Sequence, residues 1–134
     1  MQIFILTIIG AVLFIILDLI WFYFAGNFFK SEIGSIARLT AEGDWNVRYL
    51  PALLAYLLMG IGVSVLVYPH ALGLGTAFLY GALFGLVGYG LYDLTNLATL
   101  SDWTVRFVVV DMVWGTLLCG TVSSVIYLIA KTWF

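Results

Sequence analysis

Apolar residues in this chain run on in long blocks instead of alternating with polar ones. Four such blocks cover about residues 3–27, 48–68, 71–97 and 103–131, and each is long enough to cross ~30 Å of hydrocarbon as an α-helix of ~20 residues. In lipid every backbone N–H and C=O must be satisfied within the protein, which leaves helices or a closed barrel. Barrel strands would alternate apolar and polar residues. These blocks are apolar on every face, so they predict helices. The expected fold is therefore an all-α integral membrane protein, with four transmembrane helices in an up-down bundle.

The segments between the blocks predict the connections. Residues 28–46 hold Lys30, Glu32, Arg38, Glu42 and Asp44, and Ile33, Ile36 and Leu39 recur there at helical spacing. That pattern predicts a short interfacial helix in the first loop, ended by Gly43, with Asp44 placed to cap the second span. Pro51 falls in the first turn or so of that span, where a missing N–H is tolerated. Tyr68-Pro69-His70 reads as a tight turn, with His70 solvated, and Ser101 as the cap of the fourth span.

Composition agrees with lipid as the main solvent. Of the 134 residues, 64% are hydrophobic and 9% charged; a soluble domain carries about 25% charged residues to cover its outside. The length predicts one domain over residues 1–134. A net charge of −2 with no Lys/Arg cluster argues against nucleic acid as a partner. The lone Cys119 lies deep in an apolar block and reads as a small core residue. The first block lacks a basic leader and a small-residue cleavage site, so it reads as a retained helix. Lys30, Arg38, Arg48 and Arg106 fall at the ends joined by loops one and three, against Lys131 on the other side. The positive-inside rule then puts those loops in the cytoplasm and both termini outside.

Three aspartates lie inside the spans, where a carboxyl facing lipid costs at least ~2.5 kcal/mol. Asp18 is ~13 Å from the end of span one, Asp111 ~12 Å from the start of span four, and Asp93 ~6–9 Å from the end of span three. Those ends share one side of the membrane, so the three carboxyls converge in one leaflet. Each has an aromatic or amide residue on its own helix face: Trp21 after Asp18, Trp114 after Asp111, and Tyr89 and Asn96 around Asp93. Indole N–H and phenol O–H can donate to a carboxylate while presenting an apolar body to neighbouring helices. Thr7, Ala11, Asp18 and Ala25 on span one, Gly81, Gly85 and Gly88 on span three, and Gly115 on span four mark small-residue faces that predict the bundle interior.

Asp18, Trp21, Tyr89, Asp93, Asn96, Asp111 and Trp114 are thus the candidate ligand-binding or polar cluster. Two readings of it stand side by side: a scaffold that holds four helices in register, and a working polar site. A metal centre is not expected, because no His or Cys joins the carboxyls. No catalytic residue and no cofactor can be named, since Ser64, Ser123 and Ser124 have no base beside them. The Gly81–Gly90 run lacks the Lys-Ser/Thr of a phosphate loop. No basic residue shares the carboxyls' depth, so at least one of the three is expected to keep its proton and donate a hydrogen bond.

The run Tyr92-Asp93-Leu94-Thr95-Asn96-Leu97-Ala98-Thr99-Leu100, preceded by Gly81-Ala82-Leu83-Phe84-Gly85-Leu86, resembles the signature of the small four-helix bacterial membrane proteins catalogued as domain-of-unknown-function family 2177. The Asp18-x-x-Trp21 and Asp111-x-x-Trp114-Gly115 pairs resemble that family's first and last helices. The chain departs from the pattern at Gly43-Asp44-Trp45 and at Thr104. The resemblance implies the four-helix fold, a bacterial inner membrane and a grouping of the three Asp motifs; it implies no activity. The leading expectation for function is a protein that binds a small apolar or amphipathic molecule (lipid, quinone or isoprenoid) at the cluster. Alternatives are a structural or accessory subunit of a larger membrane complex, and a lipid-modifying enzyme or a proton or small-solute pathway. The reading leans away from an enzyme.

Overall fold

The structure, a computed structural model, describes residues 1–134. Four helical rods are present: α1 (Gln2–Ile33), α2 (Tyr49–Ile61), α3 (Leu74–Thr99) and α4 (Val105–Trp133). The second rod continues beyond α2 as a π-helical turn (Gly62–Val67) and a 3₁₀ turn (Tyr68–His70), and all four rods are long and apolar enough to cross a membrane. Most large apolar side chains point outward, among them Phe4, Leu19, Leu50, Leu58, Leu79 and Val109. In water such a surface would aggregate; in lipid it is the solvated surface.

Hydrocarbon gives helices no hydrophobic reason to associate, so packing rests on close approach of small residues and on buried polar contacts. The pair α3 and α4 fits together most intimately. A Cβ placed on Gly85 would lie 2.3 Å from the carbonyl oxygen of Gly115, and one on Gly81 would lie 2.6 Å from that of Cys119. Gly115 in turn makes room for the Tyr89 ring. Between α1 and α2 the close approach is Gly10 against Gly60, where a Cβ on Gly60 would lie 2.5 Å from Thr7 O. A buried Thr7–Ser64 hydroxyl pair at 2.6 Å joins the same two rods, and Gln2 donates to Tyr68 Oη near the end. Leu6, Phe14, Val63, Leu118, Cys119, Val122 and Ile126 fill the core between these contacts, so Cys119 is the core residue its position predicts.

Several sequence expectations need correction. The first loop holds no interfacial helix: α1 runs on to Ile33, well over one turn past its expected end at residue 27. The rest of the loop folds as a tight hairpin, with Asn46 N–H donating to Arg38 O, Thr40 N–H to Asp44 O, and an isolated bridge between Leu39 and Trp45. Gly43 turns this hairpin with φ +86, a conformation that favours glycine, rather than ending a helix. Ile33 and Ile36, whose spacing suggested a helix, instead line a groove beneath the hairpin. Asp44 caps nothing; it pairs with Lys30 at 3.7 Å, and Arg48 is the N-cap residue of α2. Thr104, not Ser101, caps α4, accepting from Phe107 N–H at 3.1 Å. The α3 helix starts at Leu74 instead of residue 71, and Gly88 is exposed while Gly90 is buried.

The four rods do not pack evenly along their lengths. The α2 helix approaches α1 but comes near neither α3 nor α4; only the π turn and the 3₁₀ turn beyond it do so, with Gly62 of the π turn under the Phe84 ring. The second and third rods therefore meet near the Pro69 turn and diverge toward the first loop. Gly60 has its backbone against α1 while Ser64 Oγ, besides pairing with Thr7, reaches back to Ile61 O at 3.3 Å. A hydroxyl competing for a backbone carbonyl loosens the α-helical ladder at that turn, and π turns recur where helices change direction at functional sites.

Candidate functional site: a carboxyl and indole cluster beside an interfacial groove

The three aspartates are buried, with Asp18 7%, Asp93 0% and Asp111 9% exposed. Asp111 lies within interaction range of both Asp93 and Asp18, so the three helices deliver their carboxyls to one region, as the depth count predicts. Their partners differ from the expected ones. Trp114 Nε1 donates to Asp18 Oδ1 at 2.8 Å, across from α4 to α1, rather than serving Asp111 on its own helix. Trp21 stacks on Trp114, with centroids 4.5 Å apart and planes 6° from parallel.

The geometry of antiparallel helices accounts for this interlock. Contacts on α1 advance as those on α4 retreat: Asp18 meets Trp114, and further along Phe29 meets Phe107 at 5.0 Å. Each motif places its Trp three residues after its Asp. With Asp18 level with Trp114, Trp21 therefore falls level with Asp111. Stacked indoles add about 0.5–1.5 kcal/mol beyond the area they bury. The two Asp-x-x-Trp motifs thus clasp α1 to α4 in a fixed register.

Around Asp93 the bonding is incomplete. The Asp93 carboxyl faces Asp111 and the Trp103 indole, yet neither of its oxygens reaches hydrogen-bonding geometry. The buried N–H groups of Trp103 and Trp21 likewise have no partner. Buried polar groups are satisfied in the great majority of cases, and an unpaired one costs ~1–3 kcal/mol. No Lys, Arg or His pairs with any of the three carboxyls. Arg106, the nearest basic residue in sequence, is held by Glu32 at 3.5 Å and lies over the Phe28 ring. Thr104 Oγ1 also bonds Glu32, and Ser35 donates to Asp102 at 2.9 Å, so loops one and three are latched together.

Two residues that the sequence reading missed belong here. Tyr56 on α2 lies alongside Asp18, and Trp103, ahead of α4, lies beside Asp93. Tyr56 was within reach of the depth count: it sits seven residues into its helix, or ~11 Å, level with Asp111. Trp103 is the first residue of the expected fourth block and stands ahead of the observed α4, so no depth count reaches it and only tertiary folding sets it beside Asp93. Tyr89 sits as expected, packed on Gly115 and within range of Asp18 and Asp111. Asn96 does not join the buried carboxyls; it is half-buried beside Tyr92 and faces a groove.

That groove, of about 500 Å³, opens where α3 ends beneath the first-loop hairpin. Ile33, Ile36 and Trp45 line one side and Tyr92, Asn96 and Trp103 the other. Trp103 belongs to both the groove and the cluster, so its ring joins them. Over residues 3–128 the chain matches the family described as "Predicted membrane protein (DUF2177)". It belongs to that family. The match reaches into all four rods and contains all three aspartates, so the clasp and the groove lie within the matched region. No curated protein and no solved structure matches the chain.

Proposed function

We propose that this membrane protein binds a small amphipathic molecule (a lipid, quinone or isoprenoid) whose polar end meets the groove side of the cluster. The supporting observation is Asp93. Its carboxyl is fully buried and has no hydrogen-bond partner, and it lies one indole away from the groove. A scaffold carboxyl would be expected to hold at least one hydrogen bond, as Asp18 does from Trp114. The separation of α2 from α3 gives an apolar chain a lateral way in from the bilayer. Trp103, Tyr92 and Asn96 then supply N–H, O–H and amide groups at the end of that path. From the charge count, the groove opens on the cytoplasmic side of a bacterial inner membrane.

The test is extraction in mild detergent, followed by native mass spectrometry of the intact chain. A discrete retained amphiphile of one mass class supports the reading. A chain that emerges bare of small molecules but bound to another protein would overturn it in favour of an accessory subunit.

A further inference from the structure

The groove's rim carries charge that its walls do not neutralise. Of the five Lys and Arg residues, Lys30 is paired with Asp44 and Arg106 with Glu32. Arg38 and Arg48 both line the groove and have no carboxylate partner, and the groove's lining includes no acidic residue. Their placement follows from the hairpin. Asn46 N–H donates to Arg38 O at 2.9 Å, which fixes residues 38 and 46 opposite one another, and Arg48 follows two residues on as the N-cap of α2. Two exposed arginines and Asn46 thus line an apolar groove that Trp103 also lines.

We infer that the amphiphile is a membrane lipid with an anionic phosphate headgroup, its phosphate held by Arg38 and Arg48 and its chains running down between α2 and α3. This rests on the binding reading above and adds the charge of the ligand to it. Guanidinium offers forked donors that match phosphate oxygens. The groove lies at the level where a headgroup meets acyl chains, because α2 begins and α3 ends beside it. A zwitterionic headgroup would bring a cation into a rim that already holds two, and a neutral one would leave both unpaired. A soluble phosphate would gain nothing from the apolar walls.

Trp45 and Trp103 line the groove and report on its occupancy by fluorescence. The exposed Trp133, far along α4, is replaced by Phe to remove its signal from surrounding lipid. The protein in neutral detergent is titrated with brominated phosphatidylglycerol, brominated phosphatidylcholine, brominated diacylglycerol and, as a chain-free control, glycerol phosphate in competition. One basic residue beside an anionic surface contributes about fivefold in affinity, so two give about 30-fold. The expected result is saturable quenching by the phosphatidylglycerol at roughly 30-fold lower mole fraction than by the other two lipids, with no competition from glycerol phosphate. Arg38→Gln with Arg48→Gln should abolish the preference and keep the weaker, headgroup-independent quenching. Equal saturable quenching by all three lipids, or a preference unchanged in the double variant, would overturn the charge assignment and leave the binding reading standing. Competition by glycerol phosphate would show a soluble phosphate ligand and overturn the lipid assignment. Absence of saturable quenching by any lipid would overturn both.

Discussion

Replacing Trp114 by Phe removes the indole N–H and part of the ring's packing area from the interior. The ring still stacks on Trp21, so most of the ~0.5–1.5 kcal/mol of aromatic contact is retained. What is lost is the 2.8 Å bond to Asp18 Oδ1. Interhelical hydrogen bonds in membrane proteins average about 0.6 kcal/mol and reach about 1.7. This one is buried and ends on a carboxyl, so it belongs at the upper end. A double-mutant cycle with Asp18→Val should therefore give a coupling of about 1–2 kcal/mol, with Trp114→Phe alone destabilising by about 2 kcal/mol once the lost indole packing is included. The assay is unfolding in mixed micelles of rising SDS fraction, followed by far-ultraviolet circular dichroism. Effects that add to within ~0.3 kcal/mol would mean that Trp114 and Asp18 do not act as a pair, and the clasp between α1 and α4 would be refuted.

Other expectations follow from single positions. In the same assay Gly85→Ala should destabilise by about 1–3 kcal/mol or more, because its Cβ would sit 2.3 Å from Gly115 O. Gly88→Ala should be neutral or stabilise by up to ~1 kcal/mol, since nothing lies within 4 Å of its Cβ; equal losses at both sites would contradict the α3–α4 contact. Cysteines introduced singly at positions 2 and 40 should be labelled by an impermeant reagent from opposite sides of the membrane, with the buried Cys119 silent; labelling from one side would refute the four-span topology. Infrared spectra at pH 7 should show a protonated carboxyl stretch that disappears when one of Asp18, Asp93 and Asp111 is replaced by Asn, and no such band in the wild type would mean that a cation reaches the cluster.

The spans and the convergence of Asp18, Asp93 and Asp111 were legible because both depend on short-range quantities. Apolar length selects a bilayer crossing, and rise per residue sets depth. The pairing within the cluster was harder to read. Asp18 and Trp21 are neighbours on one helix face, and nothing local says that the indole bonding Asp18 comes from α4. The equal Asp-to-Trp spacing on two antiparallel helices was the available clue, since one cross-contact fixes the other. Loop one misled because Ile33, Ile36 and Leu39 keep helical spacing across Gly34, while backbone pairing across the Gly43 turn and contact with Trp103 decide the actual shape. Trp103 and the charged rim depend on how two loops latch through Glu32, Thr104 and Arg106, a tertiary matter without a periodic signature.

The central claim is that Asp93 serves a ligand and not the fold, and Asp93→Val tests it most directly. Valine is the apolar residue nearest in size and removes both unpartnered oxygens, a change that is neutral or stabilising when a buried polar group has no bond to lose. SDS unfolding and native mass spectrometry are run on the same preparation of wild type and variant. The account predicts stability equal to or above wild type together with loss of the retained amphiphile. A variant that unfolds more readily by ~2 kcal/mol or more, or that keeps the amphiphile at wild-type occupancy, would contradict it.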